Sequence, residues 1–273
     1  MKVEQAKQIA SNAIEQLRQA LEAGQSERLK EYLAAMARFR RYSWGNVILI
    51  AWQRPNATHV TGFHAWHKLG RFVKKGEKGI LILAPIIRRK AENTAEAEAD
   101  ESSGAIGFRA AYVFDISQTD GQPLPEIGSV NGDPCEYRER LAKFVAEQGI
   151  ALEYSENIAP ARGMSEGGKI TLLPDQSPAD EFATLSHEVA HELMHRDERR
   201  SSTSKRVRET EAEAVAFVVC SAIGLETGSA AQDYIGLYGG DAKLLSDSLE
   251  CVQRTATQIL NSIGATDSPA PTG

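Results

Sequence analysis

The chain has 273 residues, of which 42% are hydrophobic and 25% are charged, and its formal net charge is −6. This composition is typical of a soluble globular protein and excludes collagen-like, coiled-coil and wholly disordered chains. The length suggests two small domains or one large one. We expect no membrane partner, because there is no apolar run of about 20 residues and no secretory signal at the N-terminus. Three cysteines far apart in the sequence fit a reduced compartment, so the predicted location is cytoplasmic.

Helices are predicted at the start of the chain. Apolar residues recur at helical spacing over residues 3–22, and Gly24 then ends this helix. A second helix follows, with Ser26 as a plausible N-cap. Ser43 is expected to cap a third helix, which Pro55 must end because proline cannot continue the helical hydrogen bonding.

Strands and turns are predicted after the third helix. Residues 80–88 and 106–116 are rich in β-branched and aromatic residues and are expected to form two strands. The segment between them, residues 91–104, is acidic and low in complexity, so we expect a mobile loop there.

The second half of the chain is predicted to be mostly helical. A helix over residues 135–148 precedes short strands, and Gly167-Gly168 supplies the turn of a hairpin. The polar segment 196–206 is expected to be mobile. Further helices are predicted over about 178–195, 207–223, 229–238 and 241–263.

These elements indicate an α+β protein with two domains. Residues 1–118 form a predicted N-terminal domain that mixes helices with an antiparallel sheet. The Pro- and Gly-rich residues 119–134 are a predicted linker. Residues 135–264 form a mostly helical domain with a small sheet, and residues 265–273 form a disordered tail.

Charge is divided unevenly along the chain. Residues 1–90 carry 17 Lys and Arg against 6 Asp and Glu, whereas residues 91–273 carry 14 against 31. From residue 38 to residue 90 there are 12 basic residues and seven aromatic ones, which include all three tryptophans. Cations that follow phosphates, together with aromatic faces on which bases stack, are typical of surfaces that bind single strands. The N-terminal domain is therefore predicted to bind nucleic acid, with a basic face that has no partner as the alternative. Trp52, which ends an apolar helix, is expected in the core.

The helix predicted over 178–195 contains an HExxH pattern, formed by His187, Glu188 and His191. Histidines four residues apart lie on one helix face, so both imidazoles can reach one Zn²⁺ ion. Glu188 can take a proton from the attacking water as a general base. The pattern predicts one zinc ion per chain in a metallopeptidase site. A helix with surface His and Glu residues is the alternative.

A zinc site of this kind needs a third protein ligand. His195 is excluded because it lies about 12 Å along the helix from His187, and we expect it to be a polar residue at the helix end. Glu209 and Glu213 share one face of the next helix, whereas Glu211 lies about 200° away and is expected to face water. We predict Glu209 as the ligand and Glu213 as the acceptor of the Nδ1–H of a ligating histidine. The opposite assignment is the alternative.

A helix with the HExxH pattern, a polar loop and then a glutamate-rich helix follow one another here. This order resembles that of zincin-like peptidases of the ImmA/IrrE and ArdC type. In those families the third ligand begins an E-x-x-(A or C)-(N or E) pattern, which Glu209, Ala212 and Glu213 match. The resemblance thus implies Glu209 as the ligand. One departure is Ala190, where ArdC proteins commonly have glycine before the second histidine.

The N-terminal half is similar to the N-terminal domain of ArdC antirestriction proteins, which are borne by plasmids and other mobile elements. The similarity rests on residues 42–46 (YSxxN), 61–66 (TGFHAW) and 73–79 (VKKGEKG). It implies an N-terminal domain that binds single-stranded DNA, a C-terminal domain that binds zinc, and protection of incoming DNA from restriction. The candidate DNA-binding residues are Arg41, Tyr42, Ser43, Asn46, Trp66, Lys74, Lys75 and Lys78.

Two other functions stay open at this point. A non-catalytic protein could coat single-stranded DNA and hold zinc only as a structural element. An ImmA-like regulatory protease would instead cleave a repressor. Glu188 favours catalysis, because a closed structural site needs no glutamate at that position. The predicted partners are single-stranded DNA and a protein substrate of unspecified identity.

Overall fold

A computed structural model describes residues 2–25, 27–86, 107–122, 134–225 and 241–265 of the chain. The predicted cap Ser26, the loop at 91–104 and the helix at 229–238 lie outside the described residues, as do most of the predicted linker and tail. The described residues form helices and small sheets, so the predicted α+β class is confirmed.

Most of the helices lie close to their predicted positions. Those described are α1 (Lys2–Glu22), α2 (Glu27–Arg38), α3 (Trp44–Gln53), α4 (Phe63–Lys68), α5 (Pro134–Glu147), α6 (Pro178–Met194), α7 (Asp197–Ser202), α8 (Lys205–Ala222) and α9 (Ala242–Ser262). The sequence did not predict α7, which lies in the polar segment 196–206. It also did not predict α4, whose residues were expected to form strands and turns; six residues are too few to show a helical period. None of the helices described is long and apolar enough to cross a membrane.

The strands form three small sheets. They are β1 (Val60–Gly62), β2 (Arg71–Val73), β3 (Ile80–Ile86), β4 (Gly107–Asp115), β5 (Thr119–Gly121), β6 (Ala151–Tyr154), β7 (Gly163–Ser165) and β8 (Lys169–Leu172). The sheet orders are β1-β4-β3, β2-β5 and β6-β8-β7. The predicted strand pair is confirmed, because β3 and β4 are antiparallel neighbours.

The described chain divides into two compact units. Unit 1 is drawn from residues 2–13 and 48–122, and unit 2 from residues 14–47 and 134–265. Residues 14–47 therefore lie in unit 2, although the sequence assigns them to the N-terminal domain. The domain boundaries at 118 and 135 stay a prediction.

Packing explains why residues 14–47 lie in unit 2. Helix α2 packs against α8. The Arg40 carbonyl accepts hydrogen bonds from Gln253 Nε2 and Thr257 Oγ1 of α9, each at 3.3 Å. The Arg40 guanidinium, itself buried, donates to the Ala265 carbonyl. The segment after α2 is thus held by the C-terminal helix.

Unit 1 is built on the sheet β1-β4-β3. In the antiparallel register, Leu81 faces Tyr112 and Leu83 faces Ala110, so all four side chains point to the same side of the sheet. Leu81 packs with residues from α1 and α3 in a small apolar core, whose other members are Ala6, Ile9, Ala10, Leu49, Leu83 and Ala110. One face of the sheet is therefore covered by helices.

A buried polar turn after β4 holds the loops around it. The Asp115 carboxylate accepts hydrogen bonds from the backbone N–H groups of Thr58, His59 and Ser117 at 2.8–3.1 Å. Gln118, which is fully buried, donates from its side-chain amide to Glu77 Oε2 and the Lys78 carbonyl, each at 2.8 Å. These bonds fix the segment between β2 and β3, which carries three exposed lysines.

Unit 2 places α6 between α8 and the sheet β6-β8-β7. Strand β6 is parallel to β8, and β7 is antiparallel to it. The predicted hairpin is confirmed: Gly167 and Gly168 have φ values of 76° and 99°, which glycine adopts without a steric cost. Ser177 caps α6 and Ser204 caps α8, each accepting a backbone hydrogen bond within the first turn. Both site helices are thus well defined at their N-termini.

We predict that Asp115→Asn destabilises unit 1. Burial acts to raise the pKa of Asp115, but the hydrogen bonds from Ser117, Thr58 and His59 outweigh it and hold this pKa below its usual value. The carboxylate therefore stabilises the fold above the unfolded-state pKa of about 3.9, and this stabilisation is lost as the pH falls through the folded-state pKa. Asparagine keeps one acceptor oxygen but cannot accept from Ser117. We expect the free energy of unfolding at pH 7 to fall by about 1–3 kcal/mol.

Urea denaturation at pH 7 and near pH 3 measures this effect. The difference between the wild type and Asp115→Asn should shrink at the lower pH. Asp120→Asn is the control, because Asp120 is exposed and makes an ion pair with Lys74 at 3.5 Å. Equal stabilities of the two variants at pH 7 would contradict the role given to Asp115.

Candidate metal centre

Helices α6 and α8 bring two histidines and a glutamate together. The Nε2 atoms of His187 and His191 lie 3.1 Å apart. Glu209 Oε2 lies 3.6 Å from His187 Nε2 and 3.5 Å from His191 Nε2. Within the described part of the chain, this is the group of three whose ligand atoms all lie within 4.8 Å of one another. The residues predicted as metal ligands are therefore adjacent in space.

The spacing of these three atoms fits a metal ion. Two ligands bound tetrahedrally at about 2.0–2.1 Å lie about 3.3 Å from each other. The three observed separations, 3.1, 3.5 and 3.6 Å, lie close to this value. Two imidazoles and a carboxylate are also a donor set that divalent zinc accepts, and three protein ligands leave a fourth position for water or substrate.

Glu213 contacts the opposite nitrogen of the first histidine. Its Oε2 lies 3.2 Å from His187 Nδ1, which is the contact that its predicted role requires. Burial acts to lower the pKa of His187, but the carboxylates of Glu209 and Glu213 raise it to about 9. The two histidines in turn hold the pKa of Glu209 well below its usual value. Two carboxylates thus favour a cation at this position, whether a proton or a metal ion.

Glu188 lies beside this group in a cavity of about 510 Å³. The cavity is lined by His187, Glu188, Glu209 and Glu213, with Arg162 and Asp180 also in its wall. Arg162 and Asp180 form an ion pair at 2.8 Å. Burial raises the pKa of Glu188 above the usual carboxyl value. The predicted general base therefore shares one cavity with two of the predicted ligands, His187 and Glu209.

Gly163 of β7 allows Glu188 to occupy this position. A Cβ atom at residue 163 would lie 2.8 Å from both Cγ and Oε1 of Glu188, and 2.7 Å from Cγ2 of Thr184. Real Cβ contacts essentially never come this close. A residue other than glycine would therefore displace the carboxylate or the strand. Sequence reasoning did not single out Gly163, because the close approach exists only once β7 packs on α6.

The structure corrects the expectation that Glu211 faces water. Glu211 is fully buried, and its Oε2 lies 3.0 Å from His195 Nε2. Arg199 and Ser248 both donate to its other oxygen. The prediction was wrong because α7 and α9 supply partners on the side of α8 that carries Glu211. The apolar residues around Glu211 on this helix were the available signal of burial.

His195 ends α6, as predicted, but it is buried and bonded. Its Nδ1 lies 2.9 Å from Nδ1 of His191, one turn earlier on the same helix. Burial lowers the pKa of His195. The group of possible metal ligands in the described part of the chain does not include His195, and its exclusion as a ligand stays a prediction. The sequence analysis missed that His195 contacts a member of that group, for which the four-residue spacing from His191 was the signal.

Glu192 is another buried carboxylate on α6, and its partners lie in the hairpin β7–β8 and at Arg196. It accepts hydrogen bonds from Ser165 Oγ at 2.8 Å and from the backbone N–H groups of Gly167 and Gly168 at 2.8 and 2.7 Å. Arg196 donates to it at 3.0 Å. Glu192 therefore ties α6 to the hairpin β7–β8.

The predicted DNA-binding residues divide between the two units. Unit 2 contains Arg41, Tyr42, Ser43 and Asn46, and unit 1 contains Trp66, Lys74, Lys75 and Lys78. Exposed members of this set are Arg41, Ser43, Lys74, Lys75 and Lys78. Tyr42 is half-buried, and its ring packs edge-on against Phe39.

Two of these residues are buried, which corrects the prediction. Trp66 is 1% exposed, and its indole N–H donates to the Phe114 carbonyl at 2.8 Å, so it cannot stack on a base. Asn46 is also buried and has a partner within the fold. Trp52 shows the opposite error: expected in the core, it is 42% exposed. Which face of a short helix is covered depends on tertiary packing, which an apolar run does not reveal.

Other exposed aromatic residues lie in unit 1. Phe63 is 52% exposed and Phe72 is 55% exposed. Phe72 lies in β2, two residues before Lys74, and its ring contacts the imidazole of His67 edge-on at 5.1 Å. Both phenylalanines belong to the aromatic residues that the sequence places among the basic ones. They are better placed for stacking than Trp66.

Comparisons with known proteins give one family and a few relatives. Residues 4–114 match the family described as the N-terminal domain of anti-restriction factor ArdC. An uncharacterized protein of Bacillus anthracis is 27% identical over 285 aligned positions, which cover 87% of this chain and 48% of that protein. The chain thus spans about half the length of this relative.

Two solved structures of the antirestriction protein ArdC from plasmid R388 are similar to this chain. The metal-free structure is 22% identical with a TM-score of 0.49, and covers 82% of this chain and 86% of that one. The Mn(II)-bound structure is 21% identical with a TM-score of 0.49, and covers 85% of this chain and 97% of that one.

We predict that Gly163→Ala disturbs the centre without removing its ligands. The added methyl group overlaps Glu188 and Thr184, so the free energy of unfolding should fall by about 1–3 kcal/mol. Urea denaturation measures the change. Gly45→Ala is the control, because a Cβ at residue 45 meets no atom within 4 Å and alanine favours a helix. A Gly163→Ala variant as stable as the wild type would show that β7 does not press on Glu188.

Proposed function

We propose that this chain, which belongs to the ArdC family of antirestriction factors by its N-terminal domain, binds single-stranded DNA and carries a metal-dependent peptidase centre. The observation that carries the proposal is the convergence of His187, His191 and Glu209, with His187 and Glu209 lining the same cavity as Glu188. The exposed lysines and phenylalanines of unit 1 support the DNA-binding part.

The proposed cofactor is one Zn²⁺ ion per chain, held by His187, His191 and Glu209. Imidazole and carboxylate donors at this spacing support a divalent ion, and the His₂Glu set supports zinc. When bound, such an ion polarises a substrate carbonyl and activates a water molecule. Glu213 holds the first histidine with its Nδ1–H toward the carboxylate, so that Nε2 is free to bind the ion.

Glu188 is the proposed general base. Its carboxylate takes the proton from the attacking water and then gives it to the leaving amine of the cleaved peptide bond. The position of Glu188 supports this role, because it lines the same cavity as the proposed ligands His187 and Glu209. Contact with Gly163 restricts where the carboxylate can lie.

An extended peptide is the proposed substrate. Strand β7 is at one edge of the sheet β6-β8-β7, and its Gly163 lines the cavity. An extended chain can pair with an edge strand through main-chain hydrogen bonds. Such pairing would lay a peptide bond along the cavity next to Glu188.

Single-stranded DNA is the proposed ligand of unit 1. Lys74, Lys75 and Lys78 are exposed on the segment that Gln118 anchors, and Phe72, two residues before Lys74, has an exposed ring. Cations can follow the phosphates while the ring stacks on a base. Arg41 and Ser43 of unit 2 stay candidates for the same role.

We expect Glu188→Gln to separate catalysis from binding. Glutamine keeps the size of glutamate but cannot take the proton, so peptide hydrolysis should fall by about 10²–10⁴-fold. Bound zinc and affinity for single-stranded DNA should stay as in the wild type. The measurements are metal content, DNA affinity, and protection of a transferred plasmid in restricting cells. Glu209→Gln is the control that should lose the metal.

The outcome decides between the proposed peptidase and the non-catalytic DNA-coating protein that the sequence left open. If Glu188→Gln keeps zinc and gives full protection, the peptidase is not the basis of antirestriction, and a DNA-coating protein explains it. If protection is lost while DNA binding persists, coating alone is insufficient.

A second set of variants tests the DNA surface in the full chain. Replacing Lys74, Lys75 and Lys78 by alanine should reduce the salt dependence of single-strand affinity, by a slope of about 0.7 per lost phosphate contact. Phe72→Ala should weaken binding by about 1–3 kcal/mol with the slope unchanged, because stacking releases no counterions. Lys143→Ala on α5 is the control for an exposed lysine. If the salt dependence of single-strand affinity is unchanged in the triple variant, these lysines do not contact the DNA phosphates.

A further inference from the structure

A buried chain of hydrogen bonds extends from the second histidine of the HExxH pattern to α8. His191 Nδ1 lies 2.9 Å from His195 Nδ1, and His195 Nε2 lies 3.0 Å from Glu211 Oε2. His195 is 2% exposed and Glu211 is fully buried. No water can reach these groups in place of their partners, so each must use the hydrogen bond that the fold provides.

Glu211 is held from two further helices. Arg199 of α7 and Ser248 of α9 both donate to its Oε1, which leaves Oε2 for His195. The Arg199 guanidinium also supplies the opposite charge that a buried carboxylate requires. The acceptor at the end of the chain is therefore fixed in place by α7, α8 and α9.

These contacts determine the tautomer of both histidines. A carboxylate accepts, so the proton between His195 and Glu211 belongs to His195 Nε2. In the neutral His195 ring, Nδ1 then carries no proton and accepts a hydrogen bond through its lone pair. The proton between the two Nδ1 atoms therefore belongs to His191. Neutral His191 with its proton on Nδ1 has a lone pair on Nε2, the atom that faces His187 Nε2 and Glu209. Through His195, the carboxylate of Glu211 thus determines that His191 Nε2 carries a lone pair and no proton.

We propose that His195 and Glu211 are positioning residues that hold His191 in the tautomer and ring orientation in which its Nε2 binds the metal. The proposal rests on the proposed function, since it takes His191 as a ligand. The two ligating histidines are then oriented differently: Glu213 accepts directly from His187, whereas Glu211 acts on His191 through a second imidazole.

Loss of such an orienting partner typically weakens metal binding by about 10–100-fold. His195→Phe keeps a ring but removes the acceptor, so the Nδ1–H of His191 loses its partner and Zn²⁺ affinity should fall within that range. His195→Asn places an amide oxygen near the former Nδ1 and should recover most of the affinity. A structural role of the ring alone would give the reverse order, with phenylalanine the better replacement.

The experiment uses the full chain and Zn²⁺ in competition with a chelator of known affinity. Glu192→Gln is the matched control: Glu192 is a buried carboxylate on the same helix, but its partners are the hairpin and Arg196. It is expected to lower stability while Zn²⁺ affinity stays within about threefold. Urea denaturation of every variant separates a loss of folding from a loss of metal binding.

The tautomers are read independently from ¹⁵N chemical shifts of labelled histidines, with and without Zn²⁺. The wild type should show His195 protonated at Nε2 and His191 protonated at Nδ1. A His195 protonated at Nδ1 overturns the proposal, whether or not the His195 variants fold. Zn²⁺ affinity of His195→Phe within about threefold of the wild type also overturns it and leaves the proposed function standing. A wild type without Zn²⁺ affinity overturns both, because there is then no ligand to position.

Discussion

The packing of α6 against α8 is the contact on which the candidate site depends. Each helix alone carries only part of the site: two histidines one turn apart on α6, and two glutamates four residues apart on α8. Their contact brings Glu209 Oε2 to 3.5 Å from His191 Nε2 and Glu213 Oε2 to 3.2 Å from His187 Nδ1. Strand β7 closes the other side of α6, where Gly163 leaves room for Glu188. The site is thus a product of three elements that are far apart in the chain.

Neighbours in space, more than residue type, decide what each carboxylate does. On α8, Glu209 and Glu213 reach the histidines, while Glu211 between them is buried against α7 and α9 with Arg199 and Ser248. A buried carboxylate without partners would be strongly destabilising, so each one indicates a group placed to meet it. The same rule holds in unit 1, where Asp115 collects three backbone N–H groups and organises the loops around it.

The aromatic residues of the basic segment show what amino-acid composition can and cannot predict about a binding surface. Their number and their mixture with lysine and arginine indicated a nucleic-acid surface, and that inference concerned the set as a whole. It could not assign single residues. Trp66 is buried with its indole bonded to a carbonyl, while Trp52 and Phe72 are exposed. For an amphipathic ring, burial depends on whether a distant strand offers both apolar contact and a hydrogen-bond acceptor.

The sequence by itself determined most of the local structure and the residue types of the candidate site. Helix spacing, the Gly167-Gly168 turn and the HExxH pattern are properties of short segments, so they can be read without knowledge of what packs on them. Only the tertiary structure decided which side of each helix is covered. It placed Glu211 and His195 in the interior, and it grouped residues 14–47 with α8 and α9. The physical reason is that burial and hydrogen-bond partners of a side chain come from elements distant in sequence, and no local pattern specifies them.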